Sequence, residues 1–344
     1  MVRNLSMSGA INEAMKLAMR KDENVILLGE DVAGGAEVDH LQNDEAWGGV
    51  LGVTKGLVQE FGRERVLDTP ISEAGYVGAA MAAAATGLRP IAELMFNDFI
   101  GSCLDQVLNQ GAKFRYMFGG KAQVPVTIRT MHGAGFRAAA QHSQSLYALF
   151  TSIPGIKVVV PSTPYDAKGL LLASIEDHDP VIFFEDKTLY NMTGDVPEGY
   201  YTIPLGKADI KRTGSDLTIV GIGKQVHTAL TAAEQLAAKG VEIEVIDPRS
   251  LSPLDEDTIL SSVVKTNRLI VIDEANPRCS IATDIAALIA DKGFDTLDAP
   301  IKRITAPHTP VPFSPPLEDI YLPTPEKVVE VVSELLGDTS LLSV

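Results

Sequence analysis

Apolar positions along the chain fall into short continuous runs that alternate with longer segments of helical periodicity. The runs predict buried β-strands at Val25–Gly29, Ile91–Met95, Val124–Ile128, Ile156–Val160 and Val181–Phe184. Helical patterns precede or separate them at Ser8–Arg20, Ser72–Thr86, Phe99–Lys113 and Tyr165–Ile175. Because strands that alternate with helices build βαβ units, this order predicts a mostly parallel sheet covered by helices.

A second α/β unit follows a segment with the turn-rich composition of a linker. That segment, residues 194–206, contains Pro197, Gly199 and Pro204. Beyond it the alternation resumes, with strands at Leu217–Gly221, Glu242–Ile246 and Leu269–Ile272 and helices at Gln225–Lys239, Ile281–Asp291 and Pro325–Leu336. We therefore predict an α/β fold of two domains, residues 1–193 and 207–344, joined by the linker 194–206.

Composition narrows the class of protein. The chain has 344 residues, which is enough for two hydrophobic cores, and a formal net charge of −16. This charge argues against nucleic acid or an anionic membrane as the main partner. No apolar run reaches transmembrane length, and the first twenty residues lack the apolar region of a signal peptide. Two distant cysteines, Cys103 and Cys279, fit a reducing compartment, so we expect a cytoplasmic protein.

One segment places an acidic side chain at the start of a helix rich in small residues. It is the run DTPISEAGYVG at Asp68–Gly78, in which Pro70 makes a turn and Glu73 opens the helix. From position alone, the simpler interpretation is a helix cap, with Ser72 capping the helix and Glu73 favouring its positive end. A functional interpretation of Glu73 needs more than its position.

A glycine pair in the second half of the chain resembles part of a dinucleotide-binding fingerprint. Gly221 and Gly223 follow a predicted strand, yet Val226 stands at the third glycine position and Asp247 precedes a proline. Tight packing of the strand against the next helix explains the pair more simply. The broken fingerprint disfavours a nicotinamide-dependent oxidoreductase.

Four motifs in order resemble one known family. They are DTPISEAGYVG, AELMFNDFI at Ala92–Ile100, RTMHGAGFRAAAQHSQ at Arg129–Gln144 and PGIKVVVPSTPYDAKGLL at Pro154–Leu171. The family comprises the β subunits of the thiamine-diphosphate-dependent first component of 2-oxo acid and acetoin dehydrogenase complexes. The resemblance covers nearly the whole chain. It implies a pyrimidine-binding transketolase-like domain followed by a transketolase C-terminal-like domain.

The resemblance implies that Glu73 is catalytic and binds the cofactor. In the family, the glutamate at this position hydrogen-bonds the aminopyrimidine ring. A carboxyl group at N1′ favours the imino tautomer of the 4′-amino group, which then takes the proton from C2. Met95 and Phe99 match family positions that contact the same ring, although ordinary core packing is the alternative for both.

His142 is the second catalytic residue that the resemblance implies. In the family, the histidine of the HSQ motif lies near the reacting carbon and the entry path of the lipoyl arm. A neutral imidazole there can move protons near physiological pH. A structural histidine at a helix start is the alternative. His132 and Arg129, read as members of the same loop, are weaker candidates.

A structural potassium ion is a further implication of the resemblance. Oxygen ligands suit a hard cation, and the aligned positions are Val126, Ser174, Ile175, Asp177 and Asp179. The family often has asparagine where Asp179 stands, and an acidic turn of this kind is otherwise a solvated loop.

The chain lacks the motif that holds Mg²⁺ and the diphosphate in thiamine-dependent enzymes. Its Gly-Asp pairs, Gly194-Asp195 and Gly337-Asp338, do not continue to the glycine of a GDG sequence. The resemblance implies that an α chain supplies the part of the site that binds Mg²⁺ and the diphosphate. Thiamine diphosphate is then shared within an α₂β₂ heterotetramer, and Mg²⁺ is held by the α chain. A lipoyl acyltransferase component is the other expected partner.

Local resemblance within the family favours one substrate. The runs MFNDFIGSCLDQ at Met95–Gln106 and KFRYMFGGKA at Lys113–Ala122, with the loop 129–144, look most like acetoin dehydrogenase β chains. We expect cleavage of acetoin and transfer of the two-carbon acyl unit to lipoamide. A pyruvate dehydrogenase β subunit is the runner-up, and a branched-chain 2-oxo acid dehydrogenase β subunit comes third. A non-catalytic scaffold subunit is the alternative from another class, and the intact motif residues argue against it.

Overall fold

A computed structural model describes residues 1–34 and 47–342 of the chain. The chain divides into two compact units. The first consists of Met1–His132 and Leu149–Leu205, and the second of Gly133–Ala148 and Gly206–Val344. Across the described residues, no helix combines the length and the apolar character needed to cross a membrane.

The first unit is built on parallel strands. Its strands are β1 (Val2–Ser6), β2 (Val25–Gly29), β3 (Val66–Asp68), β4 (Arg89–Phe96), β5 (Thr127–His132), β6 (Lys157–Val159), β7 (Val181–Asp186) and β8 (Thr193–Pro197). Six of them lie side by side in the order β6-β7-β5-β4-β2-β3, and each neighbouring pair is parallel. β1 pairs with β8 in antiparallel fashion, so part of the segment expected to be a linker is a strand of this unit.

Helices accompany these strands. They are α1 (Met7–Lys21), α2 (Leu57–Phe61), α3 (Glu73–Ala85), α4 (Ile100–Asp105), α5 (Ala112–Met117), α6 (Tyr147–Thr151) and α7 (Pro164–Glu176). β2 is buried along its whole length, which explains why its sequence is a continuous apolar run rather than an alternating one. α1 begins where the Ser6 hydroxyl accepts a hydrogen bond from the Gly9 N–H. Its buried face joins α7 in the core of this unit.

Two elements of the first unit differ from the sequence-based prediction. The strand predicted at Val124–Ile128 is β5 at Thr127–His132, because Pro125 has no N–H to donate to a ladder. The helix predicted at Phe99–Lys113 is a chain of shorter turns: a 3₁₀ turn at Asn97–Phe99, α4, a π-helical segment at Gln106–Gly111 and α5. A Cβ atom at Gly111 would lie 2.7 Å from the Met81 sulfur, so a larger residue there would displace the flexible end of that side chain.

The second unit is a smaller α/β sheet. The strands of this sheet are β9 (Asp209–Arg212), β10 (Leu217–Gly221), β11 (Ile243–Asp247), β13 (Leu269–Asp273) and β14 (Lys302–Thr305), and the short strand β12 (Ser250–Ser252) lies outside it. Its helices are α8 (Gln225–Ala237), α9 (Glu256–Thr266), α10 (Ile281–Lys292), α11 (Pro315–Asp319) and α12 (Pro325–Leu336). The sheet order is β14-β13-β10-β11-β9, with only β9 antiparallel to its neighbour. The hydrophobic pattern did not predict β9 and β14, which are edge strands with mostly polar residues.

Gly221, the first glycine of the pair, has a packing role in this unit. A Cβ atom at Gly221 would lie 2.7 Å from the backbone nitrogen of Val226, at the start of α8. Only glycine allows β10 and α8 to approach so closely. This contact supports the interpretation of the pair as a packing feature rather than as a nucleotide fingerprint.

Candidate active site

Glu73 lies at the first residue of α3, just beyond the carboxyl end of β3. β3, β2 and β4 are parallel neighbours, so residues that follow these strands gather at one edge of the sheet. The side chain of Ser72 makes no capping hydrogen bond, so the Ser72 cap considered from the sequence does not form. Glu73 is only half-buried, because α3 packs on one side and exposes small residues on the other.

Ser102 connects Glu73 to Phe99. The Ser102 hydroxyl lies 3.0 Å from Glu73 Oε2 and 2.7 Å from the Phe99 carbonyl oxygen. A hydroxyl has one proton, so it donates to only one of these acceptors at a time. Within the described ranges, Ser102 is the hydrogen-bond partner of the Glu73 carboxylate. The carboxylate consequently retains acceptor capacity for a ligand.

Acidic and hydroxyl groups lie around Glu73, and no cation pairs with it among the described residues. Burial, together with the charges of Glu73 and Asp31, raises the pKa of Glu30, which follows β2. Burial and the charge of Glu73 raise the pKa of the Cys103 thiol to about 12. The Tyr76 hydroxyl, one turn after Glu73, is buried and has no hydrogen-bond partner in residues 1–34 and 47–342. An unpaired buried donor beside an incompletely bonded carboxylate is typical of a site that receives a polar ligand.

The two apolar candidates occupy different environments. Phe99 is half-buried in the 3₁₀ turn after β4, and its ring packs edge-on against Phe96 with centroids 6.0 Å apart. Met95 on β4 is 4% exposed and lines a cavity of only about 10 Å³ together with Arg129. The Ser102 hydroxyl thus contacts both Glu73 and the backbone of Phe99, which places Phe99 near Glu73. Met95 presents little surface in this chain.

His142 belongs to the second unit. It lies in the irregular segment 133–146, half-buried, and its backbone N–H donates to the Ala139 carbonyl over 3.4 Å. The residues that follow it, Ser143 to Ser145, line a polar cavity of about 260 Å³ with Glu274, Asn276 and Tyr321. The Ser145 hydroxyl donates to Glu274 over 2.6 Å. His142 therefore stands beside a concave polar surface of this unit.

Arg129 and His132, the weaker loop candidates, are strand residues in the structure. Both lie on β5 and are about 1% exposed. Arg129 donates to Glu93 over 2.6 Å and to Glu185 over 2.7 Å, and the Tyr190 hydroxyl donates to Glu185 over 2.6 Å. Burial raises the pKa of Glu93 despite the neighbouring guanidinium. Arg129 is therefore the centre of a buried ion cluster, and the loop interpretation is wrong.

Sequence reasoning missed the two acids of this cluster. A signal was present, because Glu93 lies inside the apolar run Ile91–Met95, where an unpaired charge would be costly. Glu185 similarly follows the apolar run at Val181–Phe184. Charged residues inside or beside buried strands predict a buried ion pair, although only the fold identifies the partner.

The acids of the expected potassium site are already paired with basic side chains. Lys157 Nζ lies 2.6 Å from Asp177 Oδ2, and Arg115 donates to Asp179 Oδ1 over 2.7 Å. An arginine partner accounts for an acid at position 179, where the family often has asparagine. The charge of both carboxylates is neutralised within the chain.

The backbone oxygens of that site also have donors. The Ile175 and Asp177 carbonyls accept from the Arg89 guanidinium over 3.0 and 3.1 Å. The Val126 carbonyl accepts from the Val181 N–H over 3.0 Å, and the Ser174 carbonyl from the Asp177 N–H over 3.3 Å. In the part of the chain that the structure describes, no group of three or more His, Cys, Asp or Glu side chains is placed to hold a metal ion. These internal partners therefore disfavour potassium, but each carbonyl oxygen keeps a second lone pair and the site stays a prediction.

Comparisons with known proteins agree with this architecture. Residues 3–193 match the family "Transketolase, pyrimidine binding domain", and residues 206–328 match "Transketolase, C-terminal domain". The chain is 82% identical over 341 residues to the acetoin:2,6-dichlorophenolindophenol oxidoreductase subunit beta of Bacillus subtilis, covering 99% of this chain and 100% of that protein. It is 44% identical over 333 residues to the pyruvate dehydrogenase E1 component subunit beta of the same organism, covering 96% and 98%.

A solved structure shares the fold. A split-gene transketolase described as an inactive β4 tetramer aligns with a TM-score of 0.73 and 21% identity, over 97% of this chain and 98% of that one. At this identity the likeness concerns the fold alone. The chain belongs to the β subunits of the thiamine-diphosphate-dependent E1 components, built from transketolase pyrimidine-binding and C-terminal domains. Its resemblance to the acetoin-oxidising members exceeds its resemblance to the pyruvate dehydrogenase members.

Proposed function

We propose that this chain is the β subunit of an acetoin dehydrogenase component, which cleaves acetoin and transfers the two-carbon unit to lipoamide. The observation that carries the proposal is the Glu73 carboxylate, which is half-buried, lacks a cationic partner among the described residues and hydrogen-bonds Ser102. The identity of 82% to an acetoin-oxidising subunit supports the choice of substrate.

The side chains around Glu73 fit the aminopyrimidine half of thiamine diphosphate. Glu73 offers an acceptor for a ring nitrogen that carries a proton, and Phe99 offers an apolar face for a flat ring. When bound, the cofactor supplies a nucleophilic carbon that protein side chains lack. The role of Glu73 is to hold a proton at the ring nitrogen N1′, and Ser102 orients the carboxylate for that purpose. Met95 on β4 is the second apolar contact that we propose for the ring, although its side chain is buried in this chain.

His142 serves a separate role in the proposal. Its imidazole moves a proton when the acyl unit passes to the lipoyl group, because one ring nitrogen can donate a proton while the other accepts one. The polar cavity beside Ser143 to Ser145 keeps this part of the second unit accessible to a polar substrate. A lipoyl acyltransferase component is the natural acceptor partner.

The chain requires a partner to be active. It has no GDG sequence to hold Mg²⁺ and the diphosphate, so we assign both to an α chain in an α₂β₂ heterotetramer. The isolated chain should bind thiamine diphosphate weakly or not at all, because charge-assisted contacts to the diphosphate contribute much of the affinity. Calorimetry that showed tight, magnesium-dependent binding by the chain alone would contradict the split site.

The substrate assignment has a direct test. We would co-purify the chain with its α chain and measure kcat/KM for acetoin and for pyruvate, with 2,6-dichlorophenolindophenol as the electron acceptor. A site for acetoin need not hold a carboxylate and disfavours one by its desolvation cost. We expect a ratio that favours acetoin. A ratio that favours pyruvate would move the assignment to a pyruvate dehydrogenase β subunit, the alternative suggested by the 44% identical relative.

A further inference from the structure

The segment that carries His142 is a loop with closed ends. The Gly133 N–H donates to the Gln144 carbonyl over 3.1 Å, and this bond joins the two ends of the loop 133–144. Arg137 and Ala139 inside the loop have φ angles of 60°. Residues other than glycine rarely adopt this left-handed backbone, so the surrounding structure must hold it in place.

Glu318 on α11 holds the middle of that loop. Its carboxylate accepts from the Gly135 N–H over 2.6 Å, from the Arg137 N–H over 3.2 Å and from the Arg137 guanidinium over 2.8 Å. The side chain of Glu318 is completely buried. All of these groups belong to the second unit.

A buried carboxylate that accepts its hydrogen bonds from a single loop holds that loop firmly in place. Hydrogen bonds to an ionised acceptor are stronger than those between neutral groups. The two backbone donors fix the left-handed turn itself, and the guanidinium neutralises a charge that would otherwise be costly to bury. By contrast, the bond of Arg137 to Asp319, over 2.5 Å, involves a side chain that is 64% exposed. Exposed pairs of this kind contribute little.

We propose that Glu318 is a positioning residue that sets the backbone of the His142 loop and thereby places the imidazole for acyl transfer. The inference rests on the role proposed above for His142. Glu318 is buried in the second unit and bonds to this loop, so it acts through the loop backbone. Its effect on the reaction passes through the Gly135–Arg137 turn to a residue five positions further along the loop.

The first test measures the loop directly. In Glu318→Gln the amide group has one acceptor oxygen for donors that previously shared two, so at least one donor loses its partner. Peptide-resolved hydrogen exchange of residues 133–144, in the full chain assembled with its α chain, should become about 10- to 100-fold faster. The matched control is Asp319→Asn, which removes only the exposed pair and should leave exchange unchanged. Unchanged exchange in Glu318→Gln would overturn the anchoring role.

The second test connects the loop to the reaction. Glu318→Gln should lower kcat with a lipoyl acceptor about 10- to 100-fold, because a small misplacement of a catalytic group is costly. KM for acetoin and the exchange rate of the cofactor C2 proton should stay at wild-type values. In a His142→Ala background, Glu318→Gln should cause no further loss. An equal loss in both backgrounds would show that Glu318 does not act through His142.

The two proposals fail differently. Wild-type acyl transfer by His142→Ala would remove the catalytic role of His142, whereas unchanged loop exchange in Glu318→Gln would remove the anchor alone. If Glu318→Gln does not assemble, Arg137→Met provides the second variant, since its side chain is partly exposed. Arg137→Met keeps both backbone hydrogen bonds to Glu318, so we expect the same changes in loop exchange and in kcat, but of smaller magnitude. Absence of any change in exchange and kcat would contradict the proposal.

Discussion

Two groups of carboxylates in the first unit have opposite surroundings. The Glu73 group, consisting of Glu30, Glu73, Tyr76 and Ser102, contains acids and hydroxyls, and neither acid has an ion-pair partner within the described residues. The Asp177 group, consisting of Asp177, Asp179, Lys157, Arg115 and Arg89, pairs each acid with a cation. Both groups lie near the surface and both were candidate sites in the sequence. Only the first retains unsatisfied polar groups.

The difference indicates how to distinguish a ligand site from a structural one. A carboxylate whose charge and lone pairs are engaged inside the chain gains little from an added ligand. A carboxylate beside other acids, with an unpaired buried hydroxyl one helical turn away, keeps acceptor capacity for a ligand that brings a donor. The same residue type therefore has opposite roles, and the neighbouring residues decide between them.

The largest expected difference in activity is between a substitution in the Glu73 group and the matched substitution in the Asp177 group. Glu73→Gln should lower turnover of the assembled enzyme about 10²- to 10⁴-fold, because an amide cannot share a proton with a ring nitrogen. Stability should stay close to wild type, since no ion pair is lost. Proton NMR of the cofactor C2–H exchange and kcat with 2,6-dichlorophenolindophenol measure the effect.

Asp177→Asn is the control for this contrast. It breaks the bond to Lys157 and should lower stability without slowing C2–H exchange. Wild-type exchange in Glu73→Gln, or equal losses of activity in the two variants, would contradict the distinction between the groups.

The ion cluster around Arg129 is a second set of acids paired with a cation, and it lies in the core. Arg129→Met leaves Glu93 and Glu185 in the core without their cation, so we expect a loss of about 3–5 kcal/mol in the free energy of unfolding. Urea denaturation of the full chain measures this loss. Arg115→Met is the matched variant at a more exposed pair and should cost at most about 1 kcal/mol. Similar costs for the two variants would show that burial does not separate them.

The pH dependence of stability should differ in sign between paired and unpaired acids. Burial and the charge of Glu73 raise the pKa of Glu30. The contribution of Glu30 to stability is therefore fully present below its ordinary pKa of 4.5, and it is lost as the pH rises through the pKa of the folded state. Glu30→Gln should therefore raise the Tm at neutral pH, with the gain disappearing towards pH 4.5.

Glu60 is the control with the opposite sign. Its hydrogen bond with Arg20 lowers its pKa, so Glu60→Gln should lower the Tm at neutral pH. Tm values measured across this pH range provide the comparison. A gain for Glu30→Gln that is the same at every pH would refute the explanation from pKa.

The smallest expected effect concerns potassium. Because Lys157 and Arg115 already neutralise the Asp177 group, the Tm of the wild-type chain should be the same in potassium chloride and in sodium chloride at equal concentration. Lys157→Met removes one internal cation, and its Tm should become higher in potassium than in sodium. A higher wild-type Tm in potassium would reinstate the ion that the family resemblance implies.

Regular elements with continuous apolar patterns were predictable. The predicted bounds of β2, β10 and α12 coincide with the observed Val25–Gly29, Leu217–Gly221 and Pro325–Leu336. Prediction was less accurate where a local rule competes with hydrophobicity, as when Pro125 displaces the start of β5. The π-helical segment and the edge strands β9 and β14 have no apolar signature, so the pattern could not indicate them.

The sequence by itself determined the two α/β units, the family and the identity of the candidate residues, because apolar periodicity and motif order are local properties of the chain. Tertiary structure alone decided what each charged residue contacts. It paired Arg129 with Glu93 and Glu185, closed the Asp177 group with Lys157 and Arg115, and set Glu318 against a loop more than 170 residues earlier. Electrostatic and hydrogen-bond energies depend on distance and burial in space, and neither quantity can be read from spacing along the chain.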